Sequence, residues 1–497
     1  MSKTKETIAF LGLYALIFAL CLLMGFRMEV PFHYWQLASP GLLADRLRET
    51  ILNLHSQPPL LNLALGLLLK VGASAGIPTE HLILTLNFVL GGIAVAAIAE
   101  LSGALVENLK VRIAVVAVFL LNPMFYDYLF FYFYTFYEIV LLSVMAVYVH
   151  RYLSGRKFMH YMAVCILAAA LVYMRSLFHF TWAFVIIGAL PALGMPRGKR
   201  LPAYNAKVMA CAIATAFVLF AWPMKNYVKF GFFGYSSWQG YNLASGLPVK
   251  HPAVEGVFYR SPSFALSDAQ VELAMSYVPE RYRGVPVLAE VVKPDNSPNW
   301  NHYSVIEFSK ELGKDAATLM RERPGLLFSK ALTFYLARYS LYEGNVDPGT
   351  GIVRPQAVPV EGVRRWWMGA YETAVFQYYG WGMRNMGVYG DIENATAVPL
   401  TGFALVFPVL MLGAFYMTYK SWKTDTVRAA TAAFMLYTIC WVLVMVLFVD
   451  GVEGNRIRFP TEPFTFILAG WLLSRLPLLW LAITHPNGII KGLKNSS

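Results

Sequence analysis

Apolar residues gather in long runs at roughly 7–26, 80–104, 111–125, 134–152, 158–174, 177–195, 205–223, 397–419, 428–449 and 459–483. Polar, often basic, breaks separate them. Each run predicts a membrane-spanning helix, the one at 111–125 being short. The N-terminal run follows a basic start, and no small-residue cleavage site comes after it, which predicts an uncleaved first helix. A further run, "LLNLALGLLLKV" at 60–71, follows the polar stretch "NLHSQPP". As a helix it rises only ~18 Å, against ~30 Å of hydrocarbon core. That predicts a juxtamembrane or re-entrant helix. Just before it, Leu43, Leu47, Ile51 and Leu54 recur at helical spacing, with Asp45, Arg46, Arg48 and Glu49 on the other face. The pattern predicts a helix lying on the membrane surface, ended by the proline pair.

Charge orients these elements. If 60–71 does not cross, the basic segments all fall on one side. They are the N-terminus (Lys3, Lys5), 105–112 (Lys110, Arg112), 151–157 (Arg151, Arg156, Lys157), 196–207 (Arg197, Lys199, Arg200, Lys207), 420–428 (Lys420, Lys423, Arg428) and the C-terminus (Lys491, Lys494). The positive-inside rule then places both termini in the cytoplasm of an inner (plasma) membrane. The opposite side receives 27–79, the Tyr- and Phe-rich segment 122–138, the short turn 175–179, an insertion at 224–396 and the link 450–463. The aromatic segment reads as an interfacial belt. The insertion reads as a small extracytoplasmic domain, because it is too long for a loop. The predicted divisions are an N-terminal membrane module (1–223), the insertion (224–396) and C-terminal membrane helices (397–497).

Composition agrees. The 497 residues are 57% hydrophobic, 15% aromatic and 14% charged, where soluble domains carry about 25% charged residues. Mean hydropathy is +0.51. The fold class is therefore an all-α polytopic membrane protein. The net charge of +12 is accounted for by the inner loops and does not call for nucleic acid. The four cysteines lie within apolar runs, as packing residues do. There is no Walker loop, HExxH or strand-linked Rossmann fingerprint, so no nucleotide-site signature is present.

The candidate chemistry lies in the outer segments. Acids there are Glu29, Asp45, Glu49, Asp127, Glu138, Asp450 and Glu453. Bases are Arg175, Lys225, Lys229, Arg456 and Arg458, joined by His33, His55 and His179. Glu138 and Arg175 border apolar runs, where ionisable groups are costly and usually functional. A lipid phosphate suits such guanidinium groups. Plainer roles are open for others. Asp45 and Glu49 suit a solvated face paired with Arg46 or Arg48, and His55 suits a hydrogen bond to a backbone carbonyl.

Three stretches together resemble one family. "HSQPPLLNL" resembles the "PPL" segment of GT-C glycosyltransferases, which include protein O-mannosyltransferases and the aminoarabinose transferase of lipid A. "WPMKNYVKFGFFGYSSWQGYNL" (222–243) is similar to their Trp-x-x-Arg-Asn-x-x-x-Phe-Gly stretch, with Lys225 in place of Arg. "EGNRIRFPTEPF" (453–464) is similar to their Arg-Tyr-Arg-x-Pro segment, with the aromatic Phe459 coming later than the family's Tyr.

The resemblance implies a GT-C-like bundle of about ten spans with juxtamembrane helices in the first outer loop. It implies inverting transfer of a sugar from a polyprenyl-phosphate carrier to a glycan, lipid or protein acceptor at the outer face. The family's first acid is commonly Asp, followed by another acid and Tyr. Here a single Glu29 stands in "MEVPFHYW", so the base is Glu29 or else Asp45. Asp127 and Glu138 correspond in position to the second loop's substrate-orienting acid, and His55, Gln57 and His179 would line the same mouth. Arg175, Lys225, Arg456 and Arg458 would hold phosphate. No spacing dictates a metal site, and the resemblance leaves a divalent ion open. A lipid or sugar transporter or flippase, and a polysaccharide ligase, are the alternative readings.

Overall fold

A chain in hydrocarbon has no water to satisfy its backbone, so its apolar runs must fold as helices. The computed structural model describes residues 3–34, 36–193, 206–244, 247, 268–335, 367, 402–448 and 457–484. Among these residues every regular element is a helix, and β pairing is confined to the isolated bridges Glu29–Phe131 and Val292–Pro298. The chain opens with α1 (Lys3–Leu23), α2 (Pro40–Asp45), α3 (Leu47–Asn53), α4 (Leu60–Ala75), α5 (Thr79–Leu105) and α6 (Leu109–Leu120). It continues through α7 (Pro123–Leu129), α8 (Tyr134–Gly155), α9 (Phe158–Met174), α10 (Phe180–Ala189) and α11 (Ala206–Phe230). A polar layer follows, with α12 (Gln239–Ala244), α13 (Asp268–Ser276), α14 (Pro286–Ala289), α15 (Ser304–Glu322) and α16 (Pro324–Phe334). The last described helices are α17 (Gly402–Ser421), α18 (Thr426–Phe448) and α19 (Glu462–Thr484).

Each predicted run has a helical counterpart. Among the described residues, α1, α5, α8, α11 and α18 are long and apolar enough to cross a membrane. The pair α6–α7, bent by 48°, makes a sixth span if taken as one. Helices α4, α9, α10 and the described part of α17 are apolar but shorter. By helix length and hydropathy the chain is a multi-pass membrane protein.

Four details differ from the expectations. The run 111–125 is not one helix. Asn122 accepts a hydrogen bond from Met124 N, and Pro123 stands at the first helical position, so a new helix starts there. The aromatic segment is not an interfacial belt. Phe125, Tyr126, Tyr128, Phe130, Phe131, Tyr132, Phe133 and Phe136 are all buried inside the protein. The span at 205–223 continues through Pro223 to Phe230, so the insertion begins later than 224. The surface helix is broken in two at Arg46, where φ −122° and ψ 38° leave the helical region. Its apolar face survives the break, with Leu43 and Leu54 buried.

Two poles organise the bundle. At one, Glu6 pairs with Arg112 (2.7 Å), Glu100 with Arg151 (2.7 Å), and Glu107 with both Arg428 (2.6 Å) and Arg475 (2.5 Å). Arg156, in a left-handed conformation after α8, donates to the carbonyls of Leu190 and Pro191. At the other pole, Glu29 bonds to the backbone of Phe130 and Tyr132. There Asn122 donates to Glu462 and Trp441 Nε1 to Leu177 O. The described parts of the basic segments thus meet one another, and the remaining turns meet at the opposite end. The loop residues 196–205 and the C-terminal lysines lie outside the described residues.

Helix α4 keeps to the second pole. Leu61 O accepts from the Tyr132 hydroxyl at its start (2.9 Å). At its end Gly76 takes φ +66° and turns the chain directly into α5. The run after "HSQPP" is therefore a 16-residue apolar helix, shorter than the helices long enough to cross.

The polar layer has its own small core. Val305, Phe308, Leu312 and Ala316 repeat on one face of α15 and pack with Trp238, Ala244 and Trp300. Gly240 lets α12 approach α15 closely. A Cβ there would collide with Ser309 O and lie 3.0 Å from the Gly313 Cα.

Candidate functional site

Among the described residues, the acids Asp127, Glu138 and Glu462 and the arginines Arg175 and Arg458 are buried at the second pole. Glu138 lies in the first turns of α8, and Arg175 ends α9 in an extended conformation. Their side chains meet at 3.3 Å and are 0% and 5% exposed. The guanidinium also lies 4.3 Å from the Tyr134 ring centroid, a cation–π distance. Arg458 Nη2 lies 3.0 Å from Glu462 Oε1, one helical turn on, and Asn122 Nδ2 lies 3.2 Å from Glu462 Oε2. Asp127 is wholly buried on α7, near Cys21 at the end of α1.

These groups share one neighbourhood. Helix α8 packs against the 459–461 turn, and the Tyr128 ring lies 5.2 Å from Phe459. Burying a charge is costly unless it is paired and hydrogen-bonded, and each guanidinium here is oriented by a carboxylate. A fixed guanidinium fork matches phosphate oxygens.

The loop carrying Glu29 closes this neighbourhood from the side. Glu29 N lies 2.9 Å from Phe130 O, and Tyr132 N lies 2.9 Å from Glu29 O. That bridge joins the first polar loop to the α7–α8 turn. Glu29 itself is half-buried. Asn87, on α5, supports the same turn by donating to Leu129 O (2.8 Å) and accepting from the Tyr137 hydroxyl (3.0 Å).

Other candidates are placed elsewhere. Asp45 is exposed on α2. His55 is fully buried in a knot that ties the proline-pair segment to the polar layer. Its Nδ1 lies 2.8 Å from Ser237 Oγ and its Nε2 2.8 Å from Asn301 O. Asn301 Oδ1 in turn accepts from His55 N (2.7 Å) and Ser56 N (3.0 Å). Burial first, then the Lys225 charge, pushes the imidazole down to about 3, with the Asn301 carbonyl pulling the other way. Gln57 is half-buried beside this knot.

Lys225 donates to Leu54 O, and Lys229 donates to Leu52 O (3.2 Å) and Asn53 Oδ1 (2.9 Å). Two lysines one turn apart thus satisfy the carbonyls at the C-terminal end of α3. His179 accepts from Thr181 N and caps α10. Arg456 lies outside the described residues.

Sequence reasoning missed Asn122, Glu462, Asn301 and Lys293. The first had a local signal, since Asn before Pro at a helix start is a cap signature. Glu462 had one too, four residues after Arg458 at helical spacing. Asn301 and Lys293 had none, because their partners are distant in sequence. Among the described residues no group of three or more His, Cys, Asp or Glu is disposed to hold a metal ion. No family model, curated protein or solved structure matches the chain.

Proposed function

We propose that this protein is a GT-C-type membrane glycosyltransferase of the inner membrane. In this reading it transfers a sugar from a polyprenyl-phosphate carrier to an acceptor at the outer face. The observation that carries the reading is the gathering of buried carboxylates and guanidiniums at the pole opposite the basic loops, with Glu29 beside them. By the positive-inside rule that pole is the outer one. Arg175 and Arg458 hold the carrier phosphate and stabilise charge on the leaving group in a water-poor setting. Glu29 accepts the acceptor hydroxyl's proton as that oxygen attacks the anomeric carbon. Asp127 and Glu138 orient the substrate and the guanidiniums. In this reading α9, α10, α17 and α19 join the six longer spans to make the bundle of about ten that the resemblance implies.

The test is transfer from a labelled polyprenyl-phosphate sugar by purified, lipid-reconstituted protein. Glu29→Gln is expected to lower turnover by about 10²–10⁴-fold, the usual contribution of a general base. Wild-type turnover in each of the variants Glu29→Gln, Asp127→Asn and Glu138→Gln would remove carboxylate catalysis.

One observation favours a second reading. The broken pair α6–α7 is the kind of interrupted helix that lines a transport path. Substrate flux in proteoliposomes with no covalent product would select a transporter or flippase.

A further inference from the structure

We propose that Lys293 is a positioning residue for Glu29, holding from the polar layer the loop that carries it. This rests on the reading of Glu29 as the base. Lys293 is 4% exposed. Its Nζ lies 2.8 Å from Phe32 O and 2.6 Å from Tyr34 O, inside the stretch "MEVPFHYW". Three residues before Phe32, the chain is bonded to Phe130 and Tyr132 through Glu29. Between these attachments lies Pro31, whose ring fixes its own φ. On the other flank the Tyr34 ring meets Phe131 and Phe133 edge-on, at 5.8 and 5.2 Å. The Glu29 loop is therefore held on one side by membrane helices and on the other by Lys293.

The donor itself is held firmly. Lys293 N lies 2.8 Å from Ser297 O, and Asn296 N lies 2.9 Å from Lys293 O. Asp295 Oδ1 accepts from both the backbone and the hydroxyl of Ser297. The turn 291–299 thus presents the ammonium from a rigid frame. Asp295 and His33 are the charged and titratable groups beside it. Burying an ammonium is costly, and apolar residues of similar volume fasten two layers as well or better. A lysine here makes sense if it must hold two particular carbonyls. It couples the polar layer to the geometry of the reacting loop, where a shift of about 1 Å can cost on the order of 10²-fold in rate.

The experiment compares Lys293→Met and Lys293→Arg in lipid-reconstituted protein, reading transfer kinetics and amide hydrogen exchange together. Lys293→Met is expected to lower kcat by about tenfold or more, with KM for the labelled polyprenyl-phosphate sugar within about twofold. Exchange should rise across residues 27–38 and stay unchanged across α8. Lys293→Arg, which keeps the donors, should retain most of kcat. Unchanged kcat with unchanged exchange at 27–38 overturns the proposal, and so does a general rise in exchange across the spans. Absence of any transfer by the wild type overturns the proposed function instead. The exchange arm still decides whether Lys293 holds the loop.

Discussion

Arg175 and Glu138, 37 residues apart in the chain, meet at 3.3 Å with almost no contact with solvent. The pair joins the end of α9 to the start of α8. Removing one partner takes a buried opposite charge away from the other. Arg175→Met is expected to cost about 3–5 kcal/mol, seen as a lower melting temperature in detergent. The double variant Arg175→Met/Glu138→Leu should regain most of that stability and show no transfer. Normal transfer by the double variant would reduce the pair to a structural role.

The His55 knot should behave as one unit. His55→Ala and Asn301→Ala each leave buried partners unsatisfied and should cost roughly 1–3 kcal/mol. The double variant should cost less than the sum, because each side chain binds the other residue's backbone and so helps hold the other's bonds in place. Additive losses in chemical denaturation would show that they act separately.

The same knot predicts a pH dependence. The unfolded chain protonates His55 near 6.5, whereas the folded chain resists protonation down to about 3. Below 6.5 the unfolded state therefore binds more protons. Stability is full above that value and falls as pH drops toward about 3, at about 1.4 kcal/mol per unit while the difference lasts. His302, pushed down to about 4 by burial in the same layer, acts in the same direction. Melting temperature should fall between about pH 6.5 and 4, and less steeply in His55→Asn. An identical slope in the variant would locate the dependence elsewhere.

The charged candidates should separate by function. Asp45→Asn, on the exposed face of α2, should leave turnover unchanged. Lys225→Met should lower stability by about 0.5–2 kcal/mol, the range for helix-end capping, with kcat of the folded protein kept. Arg458→Lys should lower turnover sharply, because an ammonium cannot replace a planar fork. Equal losses of turnover in all three would contradict this assignment.

Sidedness is directly testable. Ser154, at the end of α8, and Ser276, at the end of α13, are both exposed. With the four native cysteines replaced by Ala, Ser154→Cys and Ser276→Cys are expected to react with an impermeant maleimide from opposite sides of the membrane. Labelling from the same side would break the two-pole topology.

The sequence by itself determined the helical class, the places of the apolar runs and the sorting of their ends. Hydropathy and loop charge are local quantities, and the membrane reads them locally. It also marked "LLNLALGLLLKV" as a short apolar helix, since helix length follows directly from the run of apolar residues. Glu138, Arg175 and Arg458 were visible as costly charges beside apolar runs. Tertiary structure alone decided which charges work together. The aromatic run looked interfacial because composition cannot tell a lipid-facing ring from one packed against other helices. The sequence could not show what His55 and Lys225 bind, because their partners, Ser237 and Asn301 for one and the Leu54 carbonyl for the other, come from far along the chain. Lys293 gave no local sign at all. Its role lies in two backbone carbonyls some 260 residues away, and backbone carbonyls leave no mark in a sequence.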